Sequence, residues 1–255
     1  MSVLGKSLAQ DLPVFYHPEN IVPVNVTNND YILGSMYYYG EGRQKDPERA
    51  RELLSMYYLE HPESVEADFT VRMLNNSSLQ STKTLRKTVF SDDGTRKAML
   101  YDSSILWDTG NGIAPVQLLE IETTNGILVI NHFDLTIPDV EYTYPELSPD
   151  NYMSMLYSHI YVEGISNFEF YDSTKLILVS WTSRHSLTHI INTDTFNITF
   201  FAQGDGESFS DGKDEGILIK MQKHYDLDES IQGGGAYWVD KLYGIEGSFL
   251  KFISP

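Results

Sequence analysis

The sequence predicts an α+β fold that is mainly β, in which an extended N-terminal arm and a helical hairpin precede an antiparallel β-sandwich or barrel-like domain. Prolines at positions 13, 18 and 23 interrupt the first 29 residues, and apolar residues then recur at helical spacing to about residue 62. From about Val65 the apolar period changes to two. We therefore assign residues 1–29 to the arm, 30–64 to the hairpin and 65–255 to the β domain, and a split of that domain near 140–150 stays open.

The arm has little apolar surface to bury by itself. Its prolines and the segment "NVTNND" favour extended chain, with room for one short helix before Pro13. Such an arm either wraps on its own domain or lies on a neighbouring molecule. We predict that Pro13, Phe15 and Tyr16 make this contact.

Capping signals predict two helices in the hairpin. Asp30 caps the first helix, which Gly40 and Gly42 end, and Asp46-Pro47 starts the second, which ends at His61-Pro62. The apolar residues at helical spacing are Ile32, Leu33 and Met36 in the first helix and Ala50, Leu53, Leu54, Tyr57 and Tyr58 in the second. Two antiparallel helices follow from this pattern.

Short segments rich in β-branched and aromatic residues follow, separated by turn sequences. Four hairpins are predicted around "SDDG", "TTNG", "DST" and "NTD", and three later strands in "GILIKMQ", "GAYWVDKLY" and "SFLKFI". The segment 149–161 predicts either a short helix opened by Pro149 or a loop running into a strand. Parallel βαβ alternation is not visible, which argues against a Rossmann-like sheet.

Composition limits the classes of function. The chain has no cysteine, which excludes disulfides and thiolate sites and suits a reducing cytoplasm. It has no run of eighteen apolar residues and no signal-peptide pattern at its start, so we expect neither membrane insertion nor secretion by a signal peptide.

The charge is uneven along the chain. The formal net charge is −18, and residues 98–255 contain 7 Lys/Arg against 23 Asp/Glu. We expect this acidic part to repel nucleic acid. The excess serves solubility, or it meets a basic surface on a partner or on residues 43–97 of another copy.

The hairpin resembles a Sel1-like repeat, a relative of the tetratricopeptide repeat, over about residues 30–62. The matching residues are Leu33, Gly34, Tyr37, Gly40, Gly42, Asp46, Ala50 and Leu53. Arg43 departs from the pattern, where the family prefers a small apolar residue, and no second repeat is found. A lone repeat must bury its face on the β domain or on a partner, because solenoids need several stacked units. Convergence on a stable helical hairpin is the other interpretation.

One acidic loop and one histidine pair are candidates for metal binding. Glycines surround five carboxylates in 204–216, which suits Ca²⁺, although the spacing fails the EF-hand pattern. These residues are Asp205, Glu207, Asp211, Asp214 and Glu215. A solvated hairpin tip or mobile loop is the alternative. His185 and His189 form a possible metal pair, with His132, His159 or a carboxylate as third ligand; the alternative is two histidines on the polar face of an exposed strand.

We find no catalytic motif and expect no cofactor. The arm, the lone hairpin and the acidic β body are similar in general character to virion structural proteins of tailed bacteriophages, such as neck, connector, tail and baseplate components. This resemblance implies an oligomer that contacts other virion proteins or copies of itself, in the host cytoplasm during assembly and then in the virion. One alternative is an intracellular adaptor that binds proteins through Tyr38 and Tyr58; the other is a carbohydrate-active β-sandwich protein.

Overall fold

The computed structural model describes residues 12–16, 29–76, 79–109, 112–135, 137–142, 155–160, 162–182, 186–224 and 236–253. The helices in these ranges are α1 (Asn29–Tyr39), α2 (Pro47–Glu60) and α3 (Val65–Asn75), with a 3-10 turn at His132–Leu135. The strands are β1 (Val14–Tyr16), β2 (Thr84–Phe90), β3 (Lys97–Asp108), β4 (Ile113–Glu122), β5 (Ile127–Asn131), β6 (Ile137–Tyr142), β7 (Met155–Ile160), β8 (Gly164–Phe170), β9 (Lys175–Trp181), β10 (Ser186–Asn192), β11 (Ile198–Gln203), β12 (Asp205–Ser210), β13 (Glu215–His224), β14 (Ala236–Tyr243) and β15 (Phe249–Ile253). The mainly β, α+β class is confirmed.

The second predicted helix forms where its capping signal places it, whereas Asp30, the predicted cap of the first helix, lies inside the first turn of α1. The Asp46 carboxylate accepts the backbone N–H groups of Glu48 and Arg49, which caps α2 with Pro47 in its first turn. A Cβ on Gly34 would lie 2.9 Å from Leu54 Cγ, so this glycine permits the close approach of α1 and α2.

A third helix extends the helical part beyond the boundary that the sequence predicts. We expected strand periodicity from about Val65, but α3 continues to Asn75. Ser64 caps this helix by accepting the N–H of Ala67, and its buried residues Ala67, Thr70 and Met73 are spaced by three. The cap and the helical spacing are both present in the sequence, and they outweigh the strand-like alternation on which we based the boundary at Val65.

The strands form three main sheets and one pair. The first sheet has the order β1-β5-β4-β3-β2, the second β11-β10-β9-β8 and the third β12-β13-β14-β15, while β6 pairs with β7. The four predicted hairpins are confirmed as β2–β3, β4–β5, β8–β9 and β10–β11. For 149–161, the strand interpretation is confirmed for Met155–Ile160. The strand β1 differs from the rest because it pairs parallel, with β5.

Helices and sheets are stacked in layers that share three hydrophobic clusters. One cluster joins the first sheet to the second, through residues such as Leu119 and Leu178. Another joins the three helices to the opposite face of the first sheet, where Trp107 and Val116 lie. A third joins the second sheet to the third through residues such as Ile177. The order of layers is therefore helices, first sheet, second sheet and third sheet.

The strand β3 contributes to two of these clusters, one on each of its faces. The pairing of β3 with β4 shifts between Asp102 and Leu106. Before the shift Ala98 and Leu100 face the second sheet, and after it Ile105 and Trp107 face the helices. The shift inserts two extra residues into β3, which leaves the alternation of faces intact, so the change follows from the even positions of Ala98 and Leu100 and the odd positions of Ile105 and Trp107.

Candidate interaction surface

The third sheet extends beyond the edge of the second. The second sheet ends at β11, which contacts β13, while β9 and β10 contact β12. The strands β14 and β15 lie on the far side of β13, and no other described strand pairs with the outer edge of β15. We call these two strands the overhang.

An aromatic row runs from the third cluster onto the face of the overhang. Ring centroids are 5.8 Å apart for Phe201 and Tyr243, 5.7 Å for Tyr243 and Phe249, and 5.1 Å for Phe249 and Phe252. A register shift makes Leu250 the extra residue of β15, so Phe249 and Phe252 share one face. All three apolar side chains of this segment are exposed: Phe249 by 49%, Phe252 by 60% and Leu250 by 46%. Edge strands of this composition are usually covered by another element or by another chain.

The charged side chain of β15 is occupied within the chain. Lys251 Nζ contacts Asp214 and lies 3.7 Å from Asp211, both in the turn between β12 and β13. The charge of Lys251 is therefore neutralised, and the free edge presents mainly apolar groups.

The acidic segment forms a hairpin, as one of the two interpretations predicts. Asp205 and Glu207 lie on β12, Asp211 and Asp214 lie in its turn, and Glu215 begins β13. Asp211 Oδ1 accepts the backbone N–H groups of Lys213 and Asp214, and Lys220 lies 2.7 Å from Glu207. In the part of the chain that the structure describes, no group of three or more His, Asp or Glu residues is placed to hold a metal ion.

The predicted binding residues of the arm lie on the chain's own first sheet. Val14, Phe15 and Tyr16 pair with Ile127, Leu128 and Val129, so this part of the arm adds a strand to the edge of β5. Phe15 remains 43% exposed. Burial, together with the nearby carboxylate of Glu120, raises the pKa of the Tyr16 phenol.

The two predicted tyrosines of the hairpin have different positions. Tyr38 is buried and its hydroxyl donates a hydrogen bond to the carbonyl oxygen of Asn76. Tyr58 is 38% exposed, beside the exposed apolar residues Met56 and Leu59 of the same helix. Of the two, only Tyr58 is placed to meet another molecule.

The proposed polar-face position of His189 is wrong, because this side chain is buried at 2% exposure. It lies opposite Leu178 in β9, on the face toward the first sheet, and beside the backbone of Leu135. His132 is fully buried, and its Nδ1 accepts the N–H of Gln117 at 3.0 Å. Burial lowers the pKa of His132 to about 3 and that of His189 to about 4. His185 and the side chain of His159 lie outside the described residues.

Buried carboxylates attach the helices to the first sheet, and the sequence analysis did not identify them. Glu41 accepts the N–H of Ser104 at 2.7 Å and its hydroxyl at 2.8 Å. Glu66 accepts the N–H of Asp108 at 2.8 Å and the hydroxyl of Tyr57 at 3.4 Å. Both carboxylates are at most 4% exposed, so each compensates its loss of water with donors from the neighbouring element.

A buried ion pair completes this attachment. Arg43 Nη2 lies 3.3 Å from Asp134 Oδ1, with the two side chains 4% and 0% exposed. Asp134 Oδ2 accepts the N–H and the side-chain amide of Asn131, each at 2.8 Å. Arg43, which departs from the Sel1-like pattern, therefore joins the hairpin loop to the turn after β5.

Cations of residues 43–97 meet the acidic part within the same chain. The pairs are Arg43–Asp134, Lys83–Glu120, Arg86–Asp102, Arg96–Asp194 and Lys97–Glu122. These five cations therefore pair with carboxylates of their own chain, whereas one of the interpretations of the charge placed such contacts between copies.

Comparison with known proteins finds no matching family model, curated protein or solved structure. Among the described helices, none combines the length and the apolar character that crossing a membrane requires.

Proposed function

We propose that this chain is a non-enzymatic structural subunit that assembles with copies of itself, as part of a larger assembly such as the neck, connector, tail or baseplate of a bacteriophage virion. The arm, the single helical hairpin and the acidic β body support this setting by their general character. The overhang supports the assembly itself, and it is the observation that carries the proposal.

The overhang has the composition of a surface that another chain covers. Its inner face continues the core of the molecule as an aromatic row, and aromatic residues are enriched at the centres of protein interfaces. Burial of an exposed Phe side chain contributes roughly 1.5–3 kcal/mol. A second copy that stacks its own overhang on this face would bury Phe249 and Phe252 of both molecules.

Charge favours this contact over other faces of the molecule. Each copy carries a formal net charge of −18, so most pairs of surfaces repel. The strand β15 contains no carboxylate, and Lys241 Nζ lies 5.8 Å from the centroid of the Phe252 ring, so β15 adds no negative charge to the contact. Since salt screens the remaining repulsion, the proposed association strengthens as ionic strength rises.

The fold that carries these surfaces fits a β-sandwich better than a barrel. The first two sheets share one hydrophobic cluster across their facing sides, as in a sandwich. We include this description in the proposal, with the third sheet as an additional layer.

Light scattering of the full chain at low and high salt tests the proposal. We expect masses that are multiples of 29.1 kDa and that increase with concentration and with salt. Phe252→Lys removes the apolar contact and should return the chain to the mass of one copy. Leu59→Lys, at an apolar residue of α2 that is 79% exposed, is the matched control and should leave the mass unchanged.

Two results contradict the proposal. A chain that stays at 29.1 kDa at high concentration in both salts does not assemble with itself. If Leu59→Lys lowers the mass and Phe252→Lys does not, the exposed face of α2 makes the contact instead. The binding surface would then be the helical hairpin, where Met56 and Tyr58 are exposed, and the overhang would no longer carry the proposal.

A further inference from the structure

The edge of β5 forms a receptor for the arm that is built from two hairpins of different sheets. On one side lies Gly126, in the turn between β4 and β5, and on the other lies Phe196, in the turn between β10 and β11. Phe15 of the arm lies between them, with its ring centroid 5.3 Å from that of Phe196. The backbone N–H of Ile127 donates to the carbonyl oxygen of Pro13 at 2.9 Å.

The arm packs directly against the backbone of Gly126, where there is no room for a side chain. Its φ is +152°, and a Cβ at this position would lie 2.5 Å from Phe15 Cε2 and 2.6 Å from the carbonyl oxygen of Pro13. Any side chain here would therefore collide with both the ring and the backbone of the arm. The absence of a side chain is what admits the segment.

Phe196 adopts a conformation that favours its contact with the arm. Its φ is +59°, and it is the only residue other than glycine with a positive φ among the described residues. Bulky residues pay of order 1 kcal/mol or more for this conformation, which persists where surrounding contacts hold it. The ring packs on the edge of the cluster between the first two sheets and meets Phe15.

We infer that this receptor, in the assembled protein, takes Pro13–Tyr16 from a second copy of the chain. The inference rests on the proposed function and names the element that is exchanged. The receptor consists of residues 126–129 and Phe196, and none of its contacts requires that the arm belong to the same molecule. Exchange of an identical segment between copies replaces each contact with an equal one.

The length of the connecting chain allows the exchange. Twelve residues lie between Tyr16 and Asn29, where α1 begins. A chain of that length spans at most about 40 Å, and a domain of this size has a radius of gyration of roughly 18 Å. This length is comparable to the diameter of the domain, so it permits exchange with an adjacent copy whose β5 edge lies beside that of the first.

Charge and exposure favour the exchange as a link between copies. Residues 12–16 carry no charge, so the segment can approach a second copy of net charge −18 without repulsion of its own. On its own chain the segment leaves Val14 46% and Phe15 43% exposed. A second body beside the receptor would cover these side chains.

Cross-linking between cysteine variants tests the exchange, because the natural chain has no cysteine. Val14 and Ile127 are register partners in the β1–β5 pair. Val14→Cys and Ile127→Cys are prepared as separate full-length variants, mixed at high concentration and treated with a short bifunctional thiol reagent. We expect a linked product that contains one copy of each variant.

A matched pair of glycine variants shows that the link depends on the receptor. Adding Gly126→Ala to the Ile127→Cys variant should lower the yield of linked product about tenfold or more, because its Cβ collides with the arm. Gly112→Ala imposes a similar backbone change, at φ +144°, but its Cβ meets open space, so the yield should be unchanged.

The double variant Val14→Cys/Ile127→Cys, which carries both cysteines on one chain, shows whether the arm stays on its own molecule. If it cross-links only within single chains at every concentration, and the mixture gives no linked product, the exchange is refuted. Assembly that still depends on Phe252 under those conditions leaves the proposed function in place, so the two failures are distinguishable.

Discussion

The first sheet contacts its neighbours on its two faces by different means. Toward the second sheet the contact is a cluster of aliphatic and aromatic side chains, such as Leu119, Leu178 and Phe168. Toward the helices an aromatic cluster is joined by buried polar groups, among them Glu41, Glu66 and the Arg43–Asp134 pair. The apolar face gains stability from area and tolerates small shifts, whereas each polar contact on the helical face depends on one particular partner. We therefore expect single substitutions to be costlier on the helical face.

The largest effect is expected from Asp134→Ala. This change leaves the buried Arg43 guanidinium without its counter-charge and two donors of Asn131 without their acceptor. The free energy of unfolding should fall by about 3–5 kcal/mol, measured by urea denaturation. Glu52→Ala breaks the exposed Arg49–Glu52 pair and is the control, with an expected change within about 0.5 kcal/mol.

A double variant separates the charge from the packing. Arg43→Met combined with Asp134→Asn leaves no unpaired charge and should be more stable than Asp134→Ala alone. A loss for Asp134→Ala no larger than that for Glu52→Ala would mean that the ion pair does not hold the helices in place.

The second largest effect concerns the buried histidines and pH. Well above the ordinary histidine pKa of about 6.5, His132 and His189 are neutral in both the folded and the unfolded state. As the pH falls below 6.5, the unfolded chain takes up protons that the folded chain does not, because burial lowers the pKa values of these residues to about 3 and about 4. Stability is thus lost through this window, by roughly 2 kcal/mol for each histidine between pH 7 and pH 5.

Urea denaturation at pH 7, 6 and 5 measures this loss. His189→Gln should reduce the pH dependence by about half, since one of the two depressed groups is removed. A stability that is constant from pH 7 to pH 5 would show that neither histidine is buried in its neutral form.

The smallest effect is expected from Gly34→Ala in the helical hairpin. Alanine favours the helix by about 1 kcal/mol, but its Cβ would lie 2.9 Å from Leu54 Cγ and 3.2 Å from Leu53 Cβ. Overpacking should outweigh propensity and leave a net loss of about 1 kcal/mol in thermal or urea denaturation. A gain in stability would show that α1 and α2 can move apart at no cost. Ser55→Ala, which is half-buried on α2, is the control.

The sequence predicts the elements of this fold better than it predicts their contacts. The four hairpins follow from local turn chemistry, as at Asn125-Gly126, and α2 follows from Asp46-Pro47. Each of these signals is contained within a few residues. The class and the order of most elements could therefore be predicted from the sequence.

The candidate surface and the polar attachment depend on residues far apart in the chain. Glu41 meets Ser104 and Arg43 meets Asp134, across 63 and 91 positions, and no local pattern indicates such pairs. His189 stands in an alternating strand, but that strand is covered on both faces, so its polar face is not exposed. The exposure of Phe252 follows from where the second sheet ends, which depends on the packing of whole sheets.

The burial of β9 determines how the molecule opens. Leu176 and Leu178 face the first sheet and Ile177 faces the third, so water reaches neither side of this strand at residues 176–180. Its backbone amides exchange with solvent deuterium only when the entire stack separates, whereas those of β15 exchange while the stack remains intact. The slowest deuterium uptake in the chain therefore reports the global free energy of unfolding, and the loss of protection at the edges can be followed independently of it.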